Sequence, residues 1–218
     1  MTMLLVKLIN LDPARINKIA WILEQGIVNH NTWLAGGALR TLIDQNETIC
    51  DYDLFFSRNK ISMENGIVST KYKLEELGFK LTYQCPEGKL YTYEKIVKTF
   101  NGFVKEGSGR ETFIYKVQLI TEHFYSSPEE LLSTFDLSPT YFCTDGEYLW
   151  TSRQAIRSVK KKVCSLLKLS YPVSTFNRII KYCGKGYSCI PAIETYIGSL
   201  LDSNREVFTS ESMRRYID

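Results

Sequence analysis

Between Glu147 and Glu194 the sequence has no acidic residue. The gap, residues 148–193, holds nine basic ones: Arg153, Arg157, Lys160, Lys161, Lys162, Lys168, Arg178, Lys181 and Lys185. All 24 acidic residues lie elsewhere, so the net charge of +3 hides a basic segment beside an acidic remainder. Charge segregated this way points to a polyanionic partner, with a solvated helix face as the plainer alternative. Histidine is scarce too, with only His30 and His123 present, and no pair among the six cysteines forms C-x-x-C. Zinc-finger and dithiol redox chemistry are therefore not expected, and the thiols read as reduced and mostly buried. No apolar run approaches the roughly 18 residues that would suggest a membrane span. The opening MTMLLVKLINL lacks a small-residue cleavage site and reads as a first strand or helix rather than a signal peptide. A cytoplasmic location is the expectation. Internal repeats, low-complexity tracts and long linkers are absent, which excludes solenoids and arrays.

What is present suits one globular domain with a small appendage: 218 residues, 44% hydrophobic and 23% charged. Asp12-Pro13 opens a helix that can end at Gly26. Trp33-Leu34-Ala35 is a short strand running into Gly36-Gly37. Residues 38–43 suit a short helix, 49–56 a strand and 62–77 a helix. Segments 79–83, 90–100 and 112–120 alternate as strands. Ser127-Pro128 opens another short helix, and 141–150 forms a hairpin around Thr144-Asp145-Gly146. After Thr151 the character turns helical: Ala155, Val159, Val163, Leu166 and Leu167 repeat at helical spacing. Further helices are expected over 173–182, 191–201 and 210–217. The expectation is thus an α+β fold. A mixed sheet flanked by helices fills residues 1–150, and a basic helical region fills 151–218.

The chemistry concentrates in WLAGGALRTLIDQNETICDYDLFF, residues 33–56. On a strand, Asp51 and Asp53 would share one face, and burying two unpaired carboxylates side by side is costly. A divalent cation resolves the conflict, because Mg²⁺ takes one or two carboxylates plus water and phosphate oxygens. Upstream, Gly36 and Gly37 sit between a strand end and a helix start, where free N–H groups attract phosphate. Arg40 adds a cation one turn on.

Gly36-Gly37, a gap, then Asp51-Tyr52-Asp53-Leu54 resembles the signature of the DNA polymerase β-like nucleotidyltransferase superfamily. GGALR followed by DYDLFF is most similar to the head of the class II CCA-adding enzymes and poly(A) polymerases, which read G-G-x-V-R-D and then D-h-D. Two further islands keep the family order. Arg178-Ile-Ile-Lys181-Tyr182-Cys-Gly-Lys185-Gly186-Tyr187 resembles R-x-x-R-F-x-x-x-L-G-F, where head joins neck. Phe135-Asp136-Leu137-Ser138 stands where the family has R-R-D-F-T. Small bacteriophage proteins of this plan look similar as well.

The resemblance implies transfer of a nucleoside monophosphate from a nucleoside triphosphate to an acceptor hydroxyl on RNA, tRNA-like, or on protein. Asp51 and Asp53 would be the catalytic residues and the ligands of two Mg²⁺ (or Mn²⁺) ions. Gly36, Gly37 and Arg40 would hold the β- and γ-phosphates, and Asp136 would sit near the ribose or support the metal site. Arg178 and Lys181 would face the triphosphate or the nucleic acid. Arg153, Arg157, Lys160, Lys161, Lys162 and Lys185 are the candidate nucleic-acid contacts.

The sequence departs from the family at several points. Gln118 stands where many members carry a third acid, Thr41 follows Arg40 in place of aspartate, and Thr134 and Phe135 replace two arginines. Glu211-Ser-Met-Arg-Arg215 is only a faint echo of the base-selecting E-D-x-x-R, so CCA addition is not expected. A catalytically reduced fold serving as a nucleotide- or nucleic-acid-binding module is the alternative. An antidefence or toxin-like enzyme with the same chemistry and another acceptor is a third reading. Glu106-Gly-Ser-Gly-Arg110 reads as a hairpin turn.

Overall fold

The computed structural model describes residues 2–58, 60–99 and 111–202. The glycine-rich turn at 106–110, the expected helix at 210–217 and the Glu211–Arg215 echo lie outside the described residues. Asp12 caps the first helix by accepting from the Ala14 amide at 2.9 Å, and Pro13 fills the first turn. Ser127 and Ser152 accept amide hydrogens at the starts of two later helices in the same way.

The strands are β1 (Met3–Lys7), β2 (Thr32–Ala35), β3 (Tyr52–Ser57), β4 (Lys80–Gln84), β5 (Leu90–Thr99), β6 (Glu111–Tyr125), β7 (Cys143–Thr144) and β8 (Tyr148–Ser152). They form one mixed sheet in the order β1-β8-β7-β2-β3-β6-β5-β4. Only β3 and β6 run parallel among the described pairs. The α-helices are α1 (Pro13–Glu24), α2 (Lys60–Glu76), α3 (Pro128–Ser133), α4 (Arg153–Lys161), α5 (Pro172–Gly184) and α6 (Ile190–Asp202). A 3-10 helix, Gly37–Leu42, follows β2.

Alternation along β3 decides what the sheet shows on each side. Tyr52, Leu54 and Phe56 are buried in a core shared with Ile19 and Ile22 of α1 and Leu74 of α2. Asp53, Phe55 and Ser57 point to the opposite face and are only half-buried. A second, smaller core joins Leu137 and Cys164 to Ile179, Tyr182, Tyr187 and Ala192 of the α5–α6 region. Helix α4 lies beyond residue 150 in sequence but packs Ala155 and Val159 into the first core. No described helix is long and apolar enough to cross a membrane.

Two local readings differ from the sequence expectation. The strand expected over 49–56 begins at Tyr52, so Asp51 sits on the approach to β3 rather than inside it. The helical spacing expected to run through Leu167 stops at Lys161, because Lys162 turns left-handed at φ 51° and its ammonium is drawn to Asp44 and Glu47. Val163, Leu166 and Leu167 follow in an extended stretch. The six described cysteines are all free thiols.

Candidate active site

Gly36 ends β2 at φ 84°, ψ −142°, a backbone region that side chains other than glycine scarcely enter. A methyl group built on it would lie 3.4 Å from Asp53 Oδ2, so the glycine backbone and the carboxylate face one another. Asp53 is in register with Ala35 on β2 and Gln118 on β6, and Gln118 is opposite Thr92 on β5. The position expected for a third acid is therefore beside Asp53 in space, and an amide fills it.

Burial, reinforced by the neighbouring Asp51 charge, pushes the Asp53 carboxyl up to about 8, against the pull of Lys181 and Lys116. Helix α5 supplies two cations to this face. Lys181 is exposed and close enough to act on Asp53. Lys185 lies 3.9 Å from Cys50 Sγ, directly before Asp51. Burial and the Arg40 charge hold the Lys185 ammonium below the usual lysine range, with Cys50 and Asp51 opposing them.

Arg40 does not join this cluster. Expected to face phosphate, it is instead buried, with Nε 3.1 Å from Glu47 Oε2 and Nη1 2.6 Å from the Tyr182 hydroxyl. Gly37 makes that possible, because a methyl group there would meet Arg40 Nη1 at 2.7 Å. Glu47 is the hub. Its carboxylate also accepts from Tyr187 at 2.8 Å and from Lys162, whose ammonium is 3.1 Å from Asp44 as well. Burial alone would raise the Glu47 carboxyl, but bonds from Lys162 and Tyr187 and the Arg40 charge bring it below the usual glutamate range. This network ties the loop after Gly37 to α4 and α5, and sequence reasoning did not find it.

The remaining expected residues fall into three groups. Asp136 and Arg178 meet: Asp136 Oδ2 accepts from Arg178 Nη2 at 2.7 Å, from Nε at 2.9 Å and from the Thr175 hydroxyl at 2.8 Å. This latch joins the sheet domain to α5. Arg153, Arg157, Lys160 and Lys161 form an exposed cationic face on α4. Lys162 and Lys185, placed with them by sequence, are instead drawn to Glu47 and to the exposed Cys50 respectively.

The donor set fits a divalent cation. Burial and the Asp51 charge disfavour ionisation of Asp53, a divalent cation would offset both, and Mg²⁺ commonly takes one or two carboxylates with phosphate and water filling its shell. Among the described residues no group of three or more His, Cys, Asp and Glu is placed to hold a metal ion.

Solved structures of CCA-adding enzymes share this fold. One titled as a complex with ATP matches at a TM-score of 0.58 and 16% identity, covering 98% of this chain and 50% of that one. An apo form matches at 0.53 and 15% identity, covering 91% and 46%. A complex with CTP matches at 0.52 and 14% identity, covering 83% and 41%. The chain thus spans about half the length of these enzymes or less. No curated protein sequence matches it. A family model described as Gabija anti-defense 2 family protein matches residues 15–162, which include the Gly36-Gly37 turn and both aspartates, and the chain belongs to that family.

Proposed function

We propose that the protein is a metal-dependent nucleotidyltransferase that moves a nucleoside monophosphate from a nucleoside triphosphate to an acceptor hydroxyl on RNA. The observation that carries this reading is Asp53 facing the Gly36 backbone with the Asp51 charge beside it, and Lys181 of α5 and Lys185 just after it acting on the same cluster. The fold shared with CCA-adding enzymes supports it, and the family name supports its use against a defence system.

Asp51 and Asp53 would hold a divalent cation, Mg²⁺ or Mn²⁺, and that cation would supply a lowered pKa for the attacking hydroxyl and charge neutralisation on the leaving pyrophosphate. The Gly36 backbone faces Asp53 with no side chain between them, which leaves room for a phosphate oxygen beside the carboxylate, whereas the space over Gly37 is taken by Arg40. Lys181 and Lys185 neutralise the triphosphate, the task that Arg40 is too buried to perform. Gln118 orients a ligand by hydrogen bonding and takes no proton. The acceptor oxygen bonds to the α-phosphorus and gives up its proton to solvent water, the bond from the α-phosphorus to the bridging oxygen breaks, and pyrophosphate leaves.

A nucleotide- or nucleic-acid-binding module without chemistry is the second reading, favoured by Gln118 beside Asp53 and by the engagement of Arg40 with Glu47. The test is to incubate the protein with each α-labelled triphosphate, Mg²⁺ or Mn²⁺, and a total RNA pool, alongside Asp51→Asn. Label in RNA that the variant fails to transfer supports the enzyme. Retained RNA binding with no label in any acceptor supports the module.

A further inference from the structure

A hollow of about 430 Å³ opens between α3, α4 and the 166–168 loop, outside the carboxylate cluster. Its walls are Leu132, Phe135, Tyr141 and Leu167, and Gln154 and Lys168 also line it. The hollow is open to solvent, and its lining is about as polar as it is apolar. The hollow is held open by backbone bonds. The Asp136 carbonyl accepts from Leu167 N at 2.6 Å, and Ser138 N donates to the Ser165 carbonyl at 2.9 Å. Phe135 is backed by Phe55, with ring centroids 6.0 Å apart.

The polar groups at the hollow are uncommitted. Gln154 and Lys168 are exposed, and neither side chain bonds any described residue. Gln154 belongs to the outward face of α4 that also carries Arg153 and Arg157. Two aromatic side chains, an exposed amide and one ammonium in the lining, with Arg153 and Arg157 exposed on the same helix as Gln154, suit one base of a single-stranded nucleic acid: an aromatic ring stacks on the base, the amide meets its edge, and the cations lie toward the flanking phosphates.

The position relative to the carboxylates fits the same ligand. Phe55 follows Asp53 by two residues on the same face of β3, about 7 Å along the strand, and Phe135 is one ring contact further. A strand ending at the carboxylates would reach the hollow roughly two to four nucleotides back, at 3.4 Å per stacked nucleotide or about twice that when extended. We infer that this hollow receives one base of the acceptor RNA a few nucleotides from its 3′ end. The identification of the strand as acceptor rests on the transfer reading above; the base site itself is a binding property.

The test uses the full chain without triphosphate and a fluorescent single-stranded oligoadenylate. A single abasic nucleotide is walked back from the 3′ end, and affinity is read by anisotropy. Loss of one base, at a single internal position, is expected to weaken binding about tenfold. Gln154→Ala and Lys168→Ala, both exposed, should flatten that positional profile, while Lys80→Ala on the far edge strand should leave it intact. Equal affinity at every abasic position overturns the inference, as does an unchanged profile in the Gln154 and Lys168 variants, or no binding of the oligonucleotide at all. Label transfer to RNA with a flat profile removes the base site and keeps the enzyme. A positional profile without label transfer does the reverse.

Discussion

Gln118 lies beside Asp53 across the parallel pair of β3 and β6, where a carboxylate would complete an acidic triad. The site therefore holds two carboxylates and an amide, and its properties follow from how those two are compensated.

The first consequence concerns pH. Asp53 titrates near 8 in the folded protein and near 3.8 as a free side chain, so between those values the folded state binds a proton that the unfolded state has released. Metal-free stability should therefore fall as pH rises from about 4 to about 8 through this group. Asp53→Asn should abolish that part of the slope and raise the metal-free Tm at pH 8 more than at pH 5. Calorimetry across that range, with and without Mg²⁺, checks it; Mg²⁺ should restore the wild type at pH 8 and leave the variant unchanged.

Glu47 makes the opposite prediction. Its carboxyl is depressed below the usual glutamate value, so the stability it contributes is present at neutral pH and is lost as pH falls below about 4.5, the ordinary value. Glu47→Gln leaves Arg40 buried opposite a neutral amide and should cost about 3 kcal/mol or more at pH 7. At about 2–4 °C per kcal/mol for a chain of this size, thermal melting would register a drop of several degrees. The variant should also lose less stability than wild type on acidification.

Substituting Gly36 tests the turn. An alanine there must hold a glycine-only conformation, at about 1–3 kcal/mol, with its methyl against Asp53 Oδ2. Gly36→Ala should therefore fold with reduced stability and lose Mg²⁺-dependent thermal stabilisation. Gly146→Ala, at a second left-handed glycine remote from the aspartates in sequence, should keep that Mg²⁺ response.

The α4 face gives a salt test. Binding of single-stranded RNA should weaken with rising salt, and Arg153→Ala with Arg157→Ala should reduce the slope of log affinity against log salt by about 0.7 for each phosphate no longer neutralised. Filter binding over a salt series measures it, and a flat response would remove the polyanion role of this helix.

The sequence made much of the site legible because its signals are local. β-branched and aromatic alternation placed β2 and β3, and the Gly-Gly pair and D-x-D fell at their ends. Gln118 was marked through the family resemblance, which puts a third acid on a later strand, and the parallel register of β3 and β6 sets it beside Asp53. Local signals failed where distant partners decide the structure. Glu47 is bonded by Lys162 and Tyr187, 115 and 140 residues away, and no spacing near residue 47 announces that. The same interaction hid the end of α4, since Lys162 breaks the helix without a glycine or proline to mark it. Arg40 looked like a phosphate ligand because its motif is, in the resembling family; here the void over Gly37 lets it fold back onto Glu47 and Tyr182.

A double-label experiment is the most direct test of whether these residues transfer a nucleoside monophosphate. A triphosphate carrying distinguishable labels on its α- and γ-phosphates is incubated with the protein, Mg²⁺ and RNA. α-Label in RNA and γ-label in free pyrophosphate are expected in equal amounts, both lost in Asp51→Asn. Absence of both products, or equal yields from wild type and Asp51→Asn, would contradict transfer by these residues.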